Sequence, residues 1–139
     1  MRILALDVGD VRIGLAISDA LGITANPLDT YVRAKNDEEK DAETLAKLAQ
    51  DKGAERIVLG LPLNMDGTEG DRVLKTRAFA EALARHTSIP LDYQDERLTT
   101  VTAEHVLIEQ GMRREKRKTV IDRVAATIIL RCYLDRVCR

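Results

Sequence analysis

Tryptophan is absent from this 139-residue chain, phenylalanine occurs once and tyrosine three times. Rings at Tyr31, Phe79, Tyr93 and Tyr133 are too few for a platform on which successive bases stack, so a module that holds single strands by stacking alone is disfavoured. Cysteine is scarce too. Cys132 and Cys138, six residues apart, make neither a secreted disulfide framework nor a CxxC pair nor half of a usual zinc site, and reduced thiols are expected. An excess of one charge is missing: 22 Lys and Arg face 23 Asp and Glu. That balance excludes a chain that grips nucleic acid by overall positive charge, and any such contact must be local. Histidine appears only as the isolated His86 and His105, which read as surface or packing residues. No segment approaches the roughly 18 consecutive apolar residues of a membrane span. The opening MRILALDVGD enters a strand directly, without the pattern of a signal peptide, so a cytoplasmic protein with no membrane contact is expected.

What is present suits one globular domain over residues 1–139: 45% apolar and 32% charged residues, with no linker, repeat or low-complexity tract. Residues 2–8 alternate so that Ile3, Ala5 and Asp7 share one face and Leu4, Leu6 and Val8 the other, both largely apolar, as in a central strand. Gly9 and Asp10 supply a hairpin turn into a second strand, Arg12 to Ser18. A third strand lies between Thr24 and Val32, where Pro27 suggests an edge. Helical spacing follows from Asn36 to Lys52, with Gly53 as the stop. Next come a buried strand at Arg56 to Gly60, a loop from Leu61 to Gly70, and a helix over Asp71 to His86 with Phe79, Ala80, Leu83 and Ala84 inward. A strand over Ile89 to Gln94 leads to a helix from Thr99 or Thr100 to Gln110. After MRREKRK a last helix spans about Thr119 to Val137, with Asp122, Ala126, Ile129 and Tyr133 on one side. The order βββαβαβαα predicts an α/β layered domain with a mixed sheet.

Three carboxylates stand where sites are commonly built. Asp7 ends the first strand on an otherwise apolar face, where an unpaired charge is costly. Glu96 follows the strand ending at Gln94, and Asp122 falls in the first turn of the last helix, where by itself it reads as an acid favourable to the helix dipole. If the first and fifth strands run parallel near the middle of the sheet, their carboxyl ends open on one edge, and a helix crossing it brings Asp122 towards them. Unit charges ~4 Å apart repel by several kcal/mol at intermediate dielectric, and divalent metal is the natural compensation. Oxygen-only ligands suit Mg²⁺ or Mn²⁺, and two such ions can drive in-line phosphodiester displacement without a histidine base.

Four blocks, LDVGDVRIGLAISD from Leu6, GLPLNMDGTEG from Gly60, DERLTT from Asp95 and DRVAATIIL from Asp122, together resemble the YqgF family of ribonuclease H-like proteins. Its members are also called Holliday junction resolvases or pre-ribosomal RNA nucleases, and the match spans essentially the whole chain. The resemblance implies a ribonuclease H-like fold, a five-stranded mixed sheet with helices on both faces, and a metal-dependent phosphodiesterase site. By motif it makes Asp7, Glu96 and Asp122 the catalytic and metal-holding residues, with Asp95 and Thr99 in support. It implies structured nucleic acid as partner, with pre-16S ribosomal RNA favoured over DNA, and either a monomer or a homodimer. Two places depart from resolvase relatives: Gly60, Leu61 and Pro62 stand where their glutamate follows the fourth strand, and Ala125 replaces a second acid on the last helix.

For substrate grip, Arg113, Arg114, Lys116, Arg117 and Lys118 oppose only Glu115 in a nearly neutral chain, and could guide a phosphate backbone. Arg12 and Arg97 are further candidates, Arg97 also reading as an ion-pair partner, and the loop containing Asn64 offers amides and permissive glycines. The competing readings are a DNA junction resolvase acting as a symmetric dimer and a non-catalytic binding module. A nucleotide-clamping ATPase is rejected because one short domain lacks the second lobe. Replacing the five cations of the 113–118 segment by Ala is expected to weaken nucleic-acid binding and flatten its salt dependence. An unchanged slope of log affinity against log salt removes the segment from the interface.

Overall fold

Because both faces of the first strand are apolar, a sheet built around it needs cover on each side. A computed structural model of the protein, describing residues 1–97 and 114–137 and the side chains of 1–97 and 121–137, shows how that cover is supplied. The strands β1 (Ile3–Val8), β2 (Arg12–Ser18), β3 (Ala25–Val32), β4 (Arg56–Leu61) and β5 (Leu91–Asp95) form one sheet in the order β3-β2-β1-β4-β5. The β1–β2 and β2–β3 pairs are antiparallel, whereas β1–β4 and β4–β5 are parallel. This is the five-stranded mixed sheet expected. Pro27 lies on the edge strand β3, where the pairing slips between Leu15 and Ala16.

Helices α1 (Glu38–Asp51) and α2 (Asp71–His86) cover one face, and α3 (Arg114–Val137) covers the other. The first face gathers Leu4, Leu6, Val8, Ile13, Ile57 and Leu59 against Ala42, Leu45, Phe79 and Leu83. The second gathers Ile3, Ala5, Ala16 and Val58 against Ala126, Ile129, Leu130 and Tyr133. The alternation read along β1 thus assigns its residues to two separate cores, with Asp7 on the α3 side. Asp37 caps α1, its carboxylate accepting from the Lys40 amide at 3.0 Å, and Gly53 closes the helix at φ 73°.

Several expected boundaries shift. α3 starts at Arg114, five residues before Thr119, because Arg, Lys and Glu are good helix formers and the charged segment is itself helical. Asp122 therefore sits in the third turn, beyond the reach of a helix-end dipole. β5 begins after Pro90 and extends to Asp95, and it is an edge strand rather than a neighbour of β1. On α2, Ala84 is exposed while Val73 and Ala82 turn inward. The expected helix from Thr99 or Thr100 to Gln110 lies outside the described residues.

α3 can cross the sheet closely because β2 has no side chain at Gly14. A Cβ there would lie 1.9 Å from the main-chain oxygen of Asp122, an overlap that only a shift of the helix relieves. Gly14→Ala is expected to cost about 1–3 kcal/mol, the range for overpacking a close contact. The measurement is urea unfolding, with a lower midpoint at unchanged slope.

Candidate active site

Asp7 points from β1 towards α3, and its cross-strand neighbours on that face have no side chains. Its partner on β2 is Gly14, and Gly60 of β4 stands one step beyond the Leu6–Leu59 pair. The two glycines clear a floor in an otherwise filled apolar face. Glu96 enters from the far side of β4. Its amide donates to the Leu61 carbonyl at 3.1 Å, prolonging the β4–β5 pairing, and its side chain turns back across Gly60. A Cβ at Gly60 would come within 2.5 Å of Glu96 Oε2 and 2.5 Å of Ile129 Cδ1. An edge strand can therefore deliver a carboxyl group to the central strand because the strand between them carries hydrogen at that position.

The two carboxyl groups lie against each other, both residues half-buried. Burial raises the Asp7 pKa most strongly; contact with Glu96 lowers it, and the charge of Asp122 adds to the rise. For Glu96, burial, the charge of Asp7 and donation of its own proton to Asp7 push the carboxyl up to about 9. Glu96 Oε2 is shut from solvent without any hydrogen-bond partner, an arrangement that costs free energy unless a cation or proton compensates it.

Asp122 sits over Gly14, near enough for its charge to act on Asp7, but its carboxylate has a partner of its own. Its Oδ2 accepts from Arg12 Nε at 2.8 Å, so Arg12, expected at a phosphate, is held by a carboxylate. Arg97 is likewise engaged: its Nε donates to Asp95 Oδ2 at 2.8 Å and its Nη1 to the Met65 carbonyl at 3.3 Å. Against the upward pull of burial, the Arg97 side chain and amide keep the Asp95 carboxyl below its usual range. Asn64 holds the β4–α2 loop together, its amide donating to the Thr68 carbonyl at 2.9 Å and its Nδ2 to Thr68 Oγ1 at 3.0 Å. Arg114, Lys116, Arg117 and Lys118 lie in the opening turns of α3, where side chains are outside the described set, and Arg113 and Thr99 lie outside the described residues altogether. Cys132 is an exposed free thiol.

Among the described residues no three His, Cys, Asp or Glu side chains converge closely enough to hold one ion. Asp7 and Glu96 nonetheless fit a hard divalent cation: both are oxygen donors, they repel when ionised, and one oxygen is orphaned. Sequence reasoning missed Gly14, Gly60 and Arg72, whose charge acts on both carboxyls. Glycines inside the apolar runs RIGLA and IVLGL were the available signal, since an interior strand glycine commonly marks a close approach.

A family model described as "RuvX: Holliday junction resolvase" matches residues 1–136. A Lachnospira eligens protein named "Putative pre-16S rRNA nuclease" is 50% identical over 138 residues, covering 97% of each chain. A Streptococcus sanguinis protein of the same name is 47% identical over 137 residues, covering 98% of this chain and 99% of the relative. Among solved structures, the fowlpox virus Holliday junction resolvase superposes with a TM-score of 0.61 at 14% identity, over 99% of this chain and 100% of that one. T. thermophilus RuvC in complex with a Holliday junction substrate gives 0.56 at 13% identity, over 98% and 95%. The ribonuclease H-like fold expected from the sequence agrees with these neighbours and with the sheet order.

A raised carboxyl pKa favours the folded state only below its unfolded value, and that contribution is lost as pH climbs towards the folded value. In metal-free protein, Glu96→Gln is therefore expected to raise Tm relative to the parent, by roughly 3 to 5 °C. The margin should open as pH rises from 4.5 towards about 9, as read by thermal melts across that range. A difference that does not change with pH contradicts the assignment.

Proposed function

This chain belongs to the RuvX family, and from that premise we propose that it is a divalent-metal-dependent nuclease that hydrolyses phosphodiester bonds in structured RNA, the precursor of 16S ribosomal RNA being the favoured substrate. The observation that carries the reading is the half-buried Asp7–Glu96 pair, two acids in contact on a cleared patch of sheet with one oxygen shut from solvent and unpartnered. Structural burial alone gives no reason to place two acids in contact there. The preference for RNA rests on the names of relatives about half identical to this chain, and such a role fits a cytoplasmic protein with no membrane contact. No helix among the described residues is long and apolar enough to cross a membrane.

In this reading Asp7 and Glu96, with Asp122 beside them, would hold Mg²⁺ or Mn²⁺, and two such ions would supply an activated water and charge compensation for the departing oxygen. Each remaining role belongs to the chain. Arg12 anchors Asp122 until a substrate phosphate competes for its guanidinium, and the freed carboxylate then faces Asp7. Asp95 fixes Arg97 at the rim, and Arg97 in turn ties down the loop through the Met65 carbonyl. Asn64 keeps that loop in shape beside the strand ends. The basic opening of α3, Arg113 to Lys118, steers the backbone towards the site. Nothing in the sequence supplies a base-reading code, which favours recognition by shape and backbone.

A second reading, cleavage of four-way DNA junctions by a symmetric dimer, is favoured by the family's description and by the resolvase folds that superpose. Cleavage assays on a 16S precursor fragment and on a four-way DNA junction separate the two. RNA cleavage is expected to require added Mg²⁺ or Mn²⁺, to stop in chelator, and to fall at least about a hundredfold in Asp7→Asn. Parental rates in that variant, or full turnover in chelator, contradict the site.

A further inference from the structure

The carboxyl end of β1 borders a second feature, on the face opposite α3. A cleft of about 320 Å³ opens between the β1–β2 turn and α2, lined among others by Gly9, Arg33, Glu38, Arg72 and Lys75. Its cations are not equivalent. Arg33 is a fixed wall: its Nε donates to the buried Asp41 at 3.0 Å, its Nη1 to the Gly9 carbonyl at 2.9 Å, and its guanidinium stacks 5.2 Å from the Phe79 ring centre. It also answers the Glu38 carboxylate at 3.7 Å. Lys75 faces Asp10 at 3.4 Å, but the two side chains are 65% and 63% exposed, so the pair is weak and Lys75 is easily diverted. Arg72 is exposed and has no hydrogen bond or ion pair among the described residues. Its place in the first turn of α2 sets a cation against the helix dipole, a position that local stability does not favour. The same guanidinium lines the cleft and acts electrostatically on Asp7 and Glu96.

We propose that this cleft is a phosphate subsite, in which Arg72 and Lys75 grip a backbone phosphate of the nucleic acid neighbouring the one at Asp7 and Glu96. The strand then passes over the sheet edge, from the α3 side to the α2 side, instead of following α3 alone. Gly9 leaves the turn beside the cleft bare, because a side chain there would meet the Arg12 carbonyl of the same hairpin at 2.6 Å. Guanidinium and ammonium donors beside an open backbone suit a phosphodiester, which Arg can engage with two parallel bonds.

The subsite rests on the nuclease reading, and binding separates the two. In an Asp7→Asn background, the affinity for a short RNA hairpin is measured across salt concentrations with Arg72, with Arg72→Ala and with Arg72→Lys. Loss of one charge-assisted contact is expected to weaken binding about tenfold. The magnitude of the salt slope should fall by about 0.7 to 0.9, with Arg72→Lys retaining most of both. Methylphosphonate replacements scanned along the hairpin should reveal one phosphate whose neutralisation weakens the Arg72 protein but adds nothing in Arg72→Ala. Unchanged affinity and slope in Arg72→Ala at an unchanged Tm, or additive methylphosphonate effects at every position, overturn the subsite and leave the carboxyl site untouched. Parental cleavage by Asp7→Asn overturns the nuclease reading instead.

Discussion

Two half-buried carboxyl groups in contact set the terms for the rest of this molecule. Asp7 and Glu96 share a patch that burial makes hostile to charge; Asp7 raises the cost of ionising Glu96, whose proton in turn eases the ionisation of Asp7. The patch exists because β2 and β4 carry glycine on either side of Asp7, so the sheet has a bare floor where it would otherwise carry two more apolar side chains. The same glycines let α3 descend onto the sheet at Asp122 and let Glu96 reach back from the edge. Close packing and polar chemistry here depend on the same missing atoms.

The far end of α3 is fixed by a different device. Tyr133 is buried; its hydroxyl donates to Asp92 at 2.7 Å and accepts from Arg56 at 2.9 Å, while Arg136 donates to Gln94 and to the Tyr93 carbonyl. These contacts join the helix to β4 and β5, so the apolar stripe through Ala126, Ile129 and Leu130 holds one register against the sheet. A fixed register places Asp122 over Gly14. Around this frame the cations divide into two kinds: Arg12, Arg33 and Arg97 are bound to carboxylates and shape the walls, whereas Arg72 has no such bond among the described residues and acts on Asp7 and Glu96 only through its charge.

Much of this was legible residue by residue. The period-two pattern of Ile3 to Val8 assigned each residue to the correct core and marked Asp7 as the one polar group on its face. Pro27 marked the edge, Gly53 the end of α1, and the spacing of Ala126, Ile129 and Tyr133 the inward face of the last helix. Legibility failed where charge and propensity compete. The basic segment looks like a solvated connector, yet the same residues are strong helix formers and extend α3 backwards, moving Asp122 from the first turn to the third. The pairing of Arg12 was not legible either, because a guanidinium eligible for phosphate is equally eligible for a carboxylate 110 positions away.

The family came from a resemblance carried by four motifs, and local patterning by itself placed the described strands and helices to within a few residues, the two-sided core and the candidate acids. That information is carried by periodicity and short-range chemistry, which neighbouring residues express without reference to the rest of the chain. Only the tertiary structure decided which acids meet. Strand order put β5 at the edge, Gly60 opened the way across β4, and Arg12 paired with Asp122; each outcome depends on distances between segments far apart in sequence. Electrostatic energy follows separation and burial, and both are properties of the folded arrangement.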